Sequence, residues 1–186
     1  MNRAVFLDRD GVIIENRDDY VRSPGDVQIL PGAIEAIAAL QQAGYLPVVA
    51  TNQSAIGRGL VSPSVAQDIN ESIDGLVSAG RGRIAAWYVC PHVPEDGCRC
   101  RKPNPGLLED AARDLLVSLE SSYFVGDALS DVIAARAVHV RPVLVLTGRG
   151  ADTAAADGSA LDGCPVVPDL RAAAALILAA QGAVAS

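Results

Sequence analysis

Two aspartates, Asp8 and Asp10, stand two positions apart directly after the apolar run Ala4-Val5-Phe6-Leu7, and Gly11 follows them. Read as a buried strand, the run delivers both carboxylates at its C-terminal end, and continued alternation points them to one side. Acids paired at the mouth of a buried strand are unfavourable without a cation between them or a division of acid and base work. Taken alone, Asp-x-Asp is also an ordinary polar turn, with Gly11 supplying the bend. A second group is richer. Cys90, His92, Cys98 and Cys100 bring together three of the four cysteines and one of the two histidines. Three thiols and an imidazole are a complete tetrahedral set for Zn²⁺ with no open position, so they read as a structural site. Reduced thiols beside a chance histidine are the alternative. Cys164 reads as a small buried hydrophobe, and His139 as structural or exposed.

Further polar groups follow other apolar runs. Leu46 to Ala50 ends at Thr51-Asn52-Gln53-Ser54, and Ser122 to Val125 ends at Gly126-Asp127, with Asp131 just beyond. The Cys/His loop leads into Arg101-Lys102. Lys102 is the only lysine among fifteen basic residues, and a compact ammonium in an arginine-rich chain marks a position where a planar fork will not serve.

These residues require elements to carry them. Strand-like runs at Ala4–Leu7, Leu46–Ala50, Ile84–Cys90, Ser122–Val125, Pro142–Leu146 and Val166–Val167 alternate with helical patterns. Pro31-Gly32 opens one helix and Ser62-Pro63 another, the latter with Val65, Ile69, Ile73, Leu76 and Val77 as its apolar stripe. Helices also follow Pro105 and span Ser130–Val138 and Leu170–Ala180, while Gly150–Gly163 reads as a loop or weak helix. Strands this continuously apolar are buried on both faces. The alternation therefore predicts an α/β fold, a Rossmann-like open parallel sheet with helices on both sides. In such a sheet the C-terminal strand ends share one edge, where ligands bind. That edge would collect acids for a metal, a hydroxyl and an ammonium in one small volume.

The chain has 186 residues, half of them hydrophobic but only 4% aromatic, and a net charge of −7. The acidic balance argues against nucleic acid and anionic membrane as partners. No apolar run is long enough to span a bilayer, and the first residues lack a signal-peptide pattern. A cytoplasmic protein is expected, in which the cysteines do not form disulfides.

The set Asp8-Arg9-Asp10-Gly11, Thr51-Asn52-Gln53-Ser54, Arg101-Lys102-Pro103 and Gly126-Asp127 with Asp131 resembles the four motifs of the haloacid dehalogenase superfamily of phosphatases. The resemblance covers roughly Val5 to Gly148. It implies that Asp8 is the nucleophile forming an aspartyl-phosphate and Asp10 the general acid and base. Thr51 and Lys102 would hold the transferring phosphoryl oxygens. Mg²⁺ would be bound by Asp8, Asp127 and the backbone carbonyl of Asp10, with Asp131 ranked below Asp127 because it could equally cap the next helix. Asn52, Gln53, Ser54 and Arg101 would contact substrate, with Arg58 a further candidate. The zinc-bearing loop points to the subgroup acting on a small phosphorylated sugar, a heptose bisphosphate on the way to nucleotide-activated heptose and lipopolysaccharide. Histidinol phosphate is the alternative substrate. A non-catalytic phosphosugar-binding or zinc-stabilised interaction protein is the alternative of another class. The organisation expected is one phosphatase domain over 1–186 with a zinc-binding loop at 90–100, no large cap domain, and a monomer. Two departures stand out: Ala128 follows Asp127 where the family usually has Lys, and Asn16 to Asp19 do not match the family's substrate-contacting flap cleanly.

Overall fold

In the computed structural model, which describes residues 1–156 and 158–184, the apolar runs become six parallel strands. They are β1 (Arg3–Leu7), β2 (Tyr45–Asn52), β3 (Ala86–Cys90), β4 (Tyr123–Gly126), β5 (Arg141–Val145) and β6 (Val166–Val167), in the order β3-β2-β1-β4-β5-β6. The order reverses between β1 and β4. This is the expected open parallel sheet, and its switch point is the crevice where α/β folds bind ligands.

Alternation along the strands divides the core. Val5 and Leu7 of β1, Val49 of β2 and Val125 of β4 face the helices α1 (Ala33–Gln42), α3 (Pro63–Ala79) and α7 (Leu170–Val184). Ala4 and Phe6, with Val48, Ala50 and Phe124, face α4 (Gly106–Leu115) and α5 (Leu129–Ala137). Two short helices, α2 (Ser54–Gly57) and α6 (Gly150–Ala156), follow the ends of β2 and β5. Among the described residues, no helix is long and apolar enough to cross a membrane.

The expected stripe on α3 needs one correction. Ile69, Ile73 and Val77 are buried, together with Ala66, but Leu76 is 42% exposed. The buried positions recur at three- and four-residue steps, and Leu76 falls beside that stripe. The expected start of α3 holds: Ser62 accepts the Val65 N–H on its side chain and Pro63 occupies the first turn. β3 begins two residues later than expected, since Ile84 is buried but lies ahead of the ladder. The segment Gly150–Gly163 contains α6 and a following 3₁₀ turn, Gly158–Leu161.

Candidate active site

Asp8 continues the ladder one residue past β1, its N–H donating to the Val125 carbonyl at 3.0 Å. Its Oδ2 lies 3.0 Å from Lys102 Nζ, which also lies 2.7 Å from Asp131 Oδ1. Lys102 and Asp131 are both buried. The ammonium is held between these two carboxylates. Burial alone would push this ammonium down, but Asp131 and Asp8 outweigh it and hold it above the ordinary lysine value.

Oxygens of Asp8, Asp127 and Asp131 come within 4.8 Å of one another. Burial first, then Asp8 and Asp131, push the Asp127 carboxyl up to about 7. Asp131 is pushed up to about 6, again by burial first, with Lys102 opposing. Asp127 is fixed by the Arg149 N–H, which donates to its Oδ2 at 2.8 Å. The backbones of Gly11 and Gly148 press so closely on this carboxylate that a Cβ at either position would collide with it. Both glycines also have positive φ, at 81° and 57°. Three crowded carboxylates that share a single ammonium suit Mg²⁺, which takes one or two carboxylates and completes its shell with other oxygens. Asp131, which the sequence reading ranked below Asp127, belongs to this cluster through its full burial and its contact with Lys102. It caps α5 as well, accepting the Ala128 N–H at 3.1 Å.

Asp10 also lines the cavity but has different partners. Arg9 Nε donates to its Oδ2 at 3.2 Å and Arg9 Nη2 to its Oδ1 at 3.1 Å, while Gln53 Nε2 donates to Oδ2 at 2.6 Å. Gln53 also donates to Thr51 Oγ1 at 3.0 Å. Thr51 is buried, and its hydroxyl, accepting from Gln53, keeps its own proton to donate. Asn52 accepts the Lys102 N–H and donates to the Lys102 carbonyl, both at 3.0 Å. Asn52, Gln53, Ser54 and Arg101, the residues expected to touch substrate, all line the cavity. The Asn52 amide is also bonded to the lysine's backbone, and Gln53 to Asp10 and Thr51.

The cavity has a volume of about 480 Å³. Its cations are Arg9, Arg17, Arg58, Arg101, Lys102 and Arg149, an unusual concentration in a chain of net charge −7. Asn16, Arg17 and Tyr20 of the loop after β1 form part of its wall, so this poorly matching segment does reach the site. Sequence reasoning missed Arg9 and Arg149. A charged residue inside an otherwise buried strand exit was the available signal for Arg9; none pointed to Arg149.

Cys90, at the end of β3, meets the loop after it. Its Sγ lies 3.2 Å from Cys100 Sγ and 3.6 Å from both Cys98 Sγ and His92 Nδ1. Cys98 and Cys100 are 3.4 Å apart, and His92 Nδ1 is 3.3 Å from Cys100 Sγ. Tetrahedral zinc with ~2.3 Å sulfur bonds has sulfur–sulfur edges of about 3.8 Å; the spacings here are a little tighter, and the four side chains converge on one point as such a site requires. Without a cation the crowding is unfavourable: burial and then the neighbouring Cys100 push the Cys90 thiol up to about 12. Directly after the cluster, Arg101 Nη1 donates to the His92 carbonyl at 3.1 Å, tying the cationic segment to the loop. His139 is exposed, as expected.

Residues 99–173 match the family model described as HAD-hydrolase-like. D-glycero-beta-D-manno-heptose-1,7-bisphosphate 7-phosphatase of Pseudomonas aeruginosa is 43% identical over 180 residues, 96% of this chain and 99% of that protein. The chain belongs to this phosphatase family of HAD-like hydrolases. The Bordetella bronchiseptica family member is 41% identical over 95% of this chain and 98% of its own length. A solved structure of D,D-heptose 1,7-bisphosphate phosphatase from B. bronchiseptica, complexed with magnesium and phosphate, superimposes with a TM-score of 0.90 over 95% of this chain and 98% of that one. The chain is a phosphatase, a phosphoric monoester hydrolase.

Proposed function

We propose that the protein removes the 7-phosphate of D-glycero-beta-D-manno-heptose 1,7-bisphosphate through an aspartyl-phosphate. The observation that carries the reading is Lys102, buried and shared between Asp8 and Asp131 at the mouth of a cavity with arginines around it. The relatives' names, including the beta anomer, support the same substrate.

Asp8 attacks phosphorus, and the bond from phosphorus to the sugar oxygen breaks as Asp10 gives that oxygen a proton. Water then attacks the aspartyl-phosphate, Asp10 takes its proton, and the Asp8–phosphorus bond breaks to release phosphate. Lys102 and the Thr51 hydroxyl hold the phosphoryl oxygens as charge shifts among them. Asp8, Asp127 and the Asp10 carbonyl would hold Mg²⁺, beside Asp131, and the ion would supply positive charge between the anionic nucleophile and the anionic phosphate. Ser54, Arg58 and Arg101 receive the rest of the substrate, and Arg149 supplies a cation beside Ala128, where a lysine is usual in the family.

The zinc cluster has a structural role in this reading: it fixes the loop at 90–100 and so places Arg101 and Lys102. The chain works as one cytoplasmic phosphatase unit over 1–186, as a monomer, in the supply of activated heptose for lipopolysaccharide. Phosphate release from heptose 1,7-bisphosphate and from histidinol phosphate, compared with Mg²⁺ present, tests the assignment. Faster turnover of the heptose bisphosphate is expected, and the opposite ranking would overturn the substrate.

A further inference from the structure

The clamp on Asp10 extends beyond the cavity. Arg9, between the two catalytic acids, is only 2% exposed. Its Nε and Nη2 donate to Asp10, Nη2 also donates to Gln53 Oε1 at 2.8 Å, and Nη1 donates to Asn70 Oδ1 at 3.3 Å. Asn70 lies on α3, outside every strand-end motif and away from the cavity lining.

We propose that Asn70 is a positioning residue for phosphoryl transfer: it fixes the Arg9 guanidinium, which with Gln53 aims Asp10 at the leaving oxygen. The inference rests on the phosphomonoesterase reading above but not on which sugar is bound. A guanidinium is a rigid planar fork. Two of its three nitrogens hold Asp10, so any turn of the plane moves the carboxylate. The third nitrogen is the lever, and Asn70 holds it from a helix anchored in the core by Ile69 and Ile73.

The hydrogen bonds at Asp10 are unequal. Oδ2 accepts from both Arg9 and Gln53, whereas Oδ1 accepts from Arg9 alone. Oδ1 therefore keeps an open lone pair and is the oxygen that exchanges the proton. In the first half-reaction the Asp8 oxygen bonds phosphorus, the bond to the alcohol oxygen breaks, and the Oδ1 proton passes to that oxygen. In the second, water oxygen bonds phosphorus, its proton returns to Oδ1, and the Asp8 oxygen leaves. A loosened guanidinium weakens the proton transfer and leaves substrate binding largely intact.

The test compares two esters with the intact Mg²⁺-loaded protein. A simple alkyl phosphate expels an alkoxide that needs a proton; 4-nitrophenyl phosphate expels a phenolate that does not. In both, kcat/KM reports formation of the aspartyl-phosphate. Asn70→Leu should lower kcat/KM for the alkyl ester roughly tenfold and for the aryl ester about twofold, the loss expected for one hydrogen bond to a charged group. Asn70→Asp, which keeps an acceptor for Arg9, should recover most of the alkyl rate. Asn70→Ala serves if the leucine variant does not fold. Equal losses on both esters, no loss on either, or no recovery in the aspartate variant would overturn the positioning role. A wild-type protein inert toward both esters and toward heptose 1,7-bisphosphate would overturn the proposed reaction, and this inference with it.

Discussion

Lys102 and Asp131 form a buried ion pair, Nζ to Oδ1 at 2.7 Å, that joins the segment after the Cys/His loop to the start of α5 beside Asp8. Removing Asp131 leaves the ammonium with Asp8 as its remaining partner, at 3.0 Å. Asp131→Ala should cost about 1–3 kcal/mol of stability through the buried hydrogen bonds it loses, measured by urea unfolding of the metal-free protein. The double variant Lys102→Met, Asp131→Leu should recover much of that stability while remaining without phosphatase activity. A double variant as unstable as the single one would mean that the pair is not what Asp131 contributes.

Asp8→Asn keeps the size of the nucleophile and removes its charge. Turnover with saturating Mg²⁺ should fall by on the order of 10³ or more, as for other covalent nucleophiles. Acid-quenched protein should carry no phosphoryl label, whereas the wild type should. Retained labelling would place the covalent bond on another residue.

Asp127 and Asp131 should couple metal binding to pH. Both have native values above that of an unfolded aspartate, about 7 and about 6. The native metal-free protein therefore binds more protons than the unfolded chain, and these two groups make it lose stability as pH rises through about 4 to 7. Mg²⁺ takes the deprotonated carboxylates, so the rise in Tm from saturating Mg²⁺ should grow between about pH 5.5 and 8. Thermal melts with and without the ion across that range check this. An increment that shrinks with rising pH would contradict the acid cluster as the metal site.

The cysteine cluster should hold about one zinc per chain. Strong chelation, or Cys98→Ser, should lower both Tm and phosphatase activity, because the cluster positions Arg101 and Lys102. Metal analysis together with activity of the chelated protein decides it. Zinc-free protein with full activity and unchanged Tm would remove the structural role.

Much of this architecture was legible because its signals are local. Strands buried on both faces read as unbroken apolar runs, and acids or a Thr-Asn at their ends stand out against them. The clustering of Cys90, His92, Cys98 and Cys100 was legible because the four lie within one short loop. Partners from distant segments were not. Nothing near Asn52 indicates that its amide clasps the backbone of Lys102, fifty residues on. Gln53 read as a substrate contact, and only the folded chain shows its donors turned to Asp10 and Thr51. Asp131 read as a helix cap, which it is, but its full burial against Lys102 depends on the β1–β4 pairing. Leu76 failed for a different reason: hydrophobicity at nearly the right spacing does not reveal which flank of a helix the sheet covers.

The pairing of β1 with β4 also orders events during refolding. Asp8 precedes its lysine by almost a hundred positions and the acids at 127 and 131 by more. The first three strands and the cysteine loop therefore lie ahead of Asp127 and Asp131 in the chain. The full set meets only with β4 beside β1, so the onset of catalysis in a refolding chain would serve as a clock for closure of the sheet's centre.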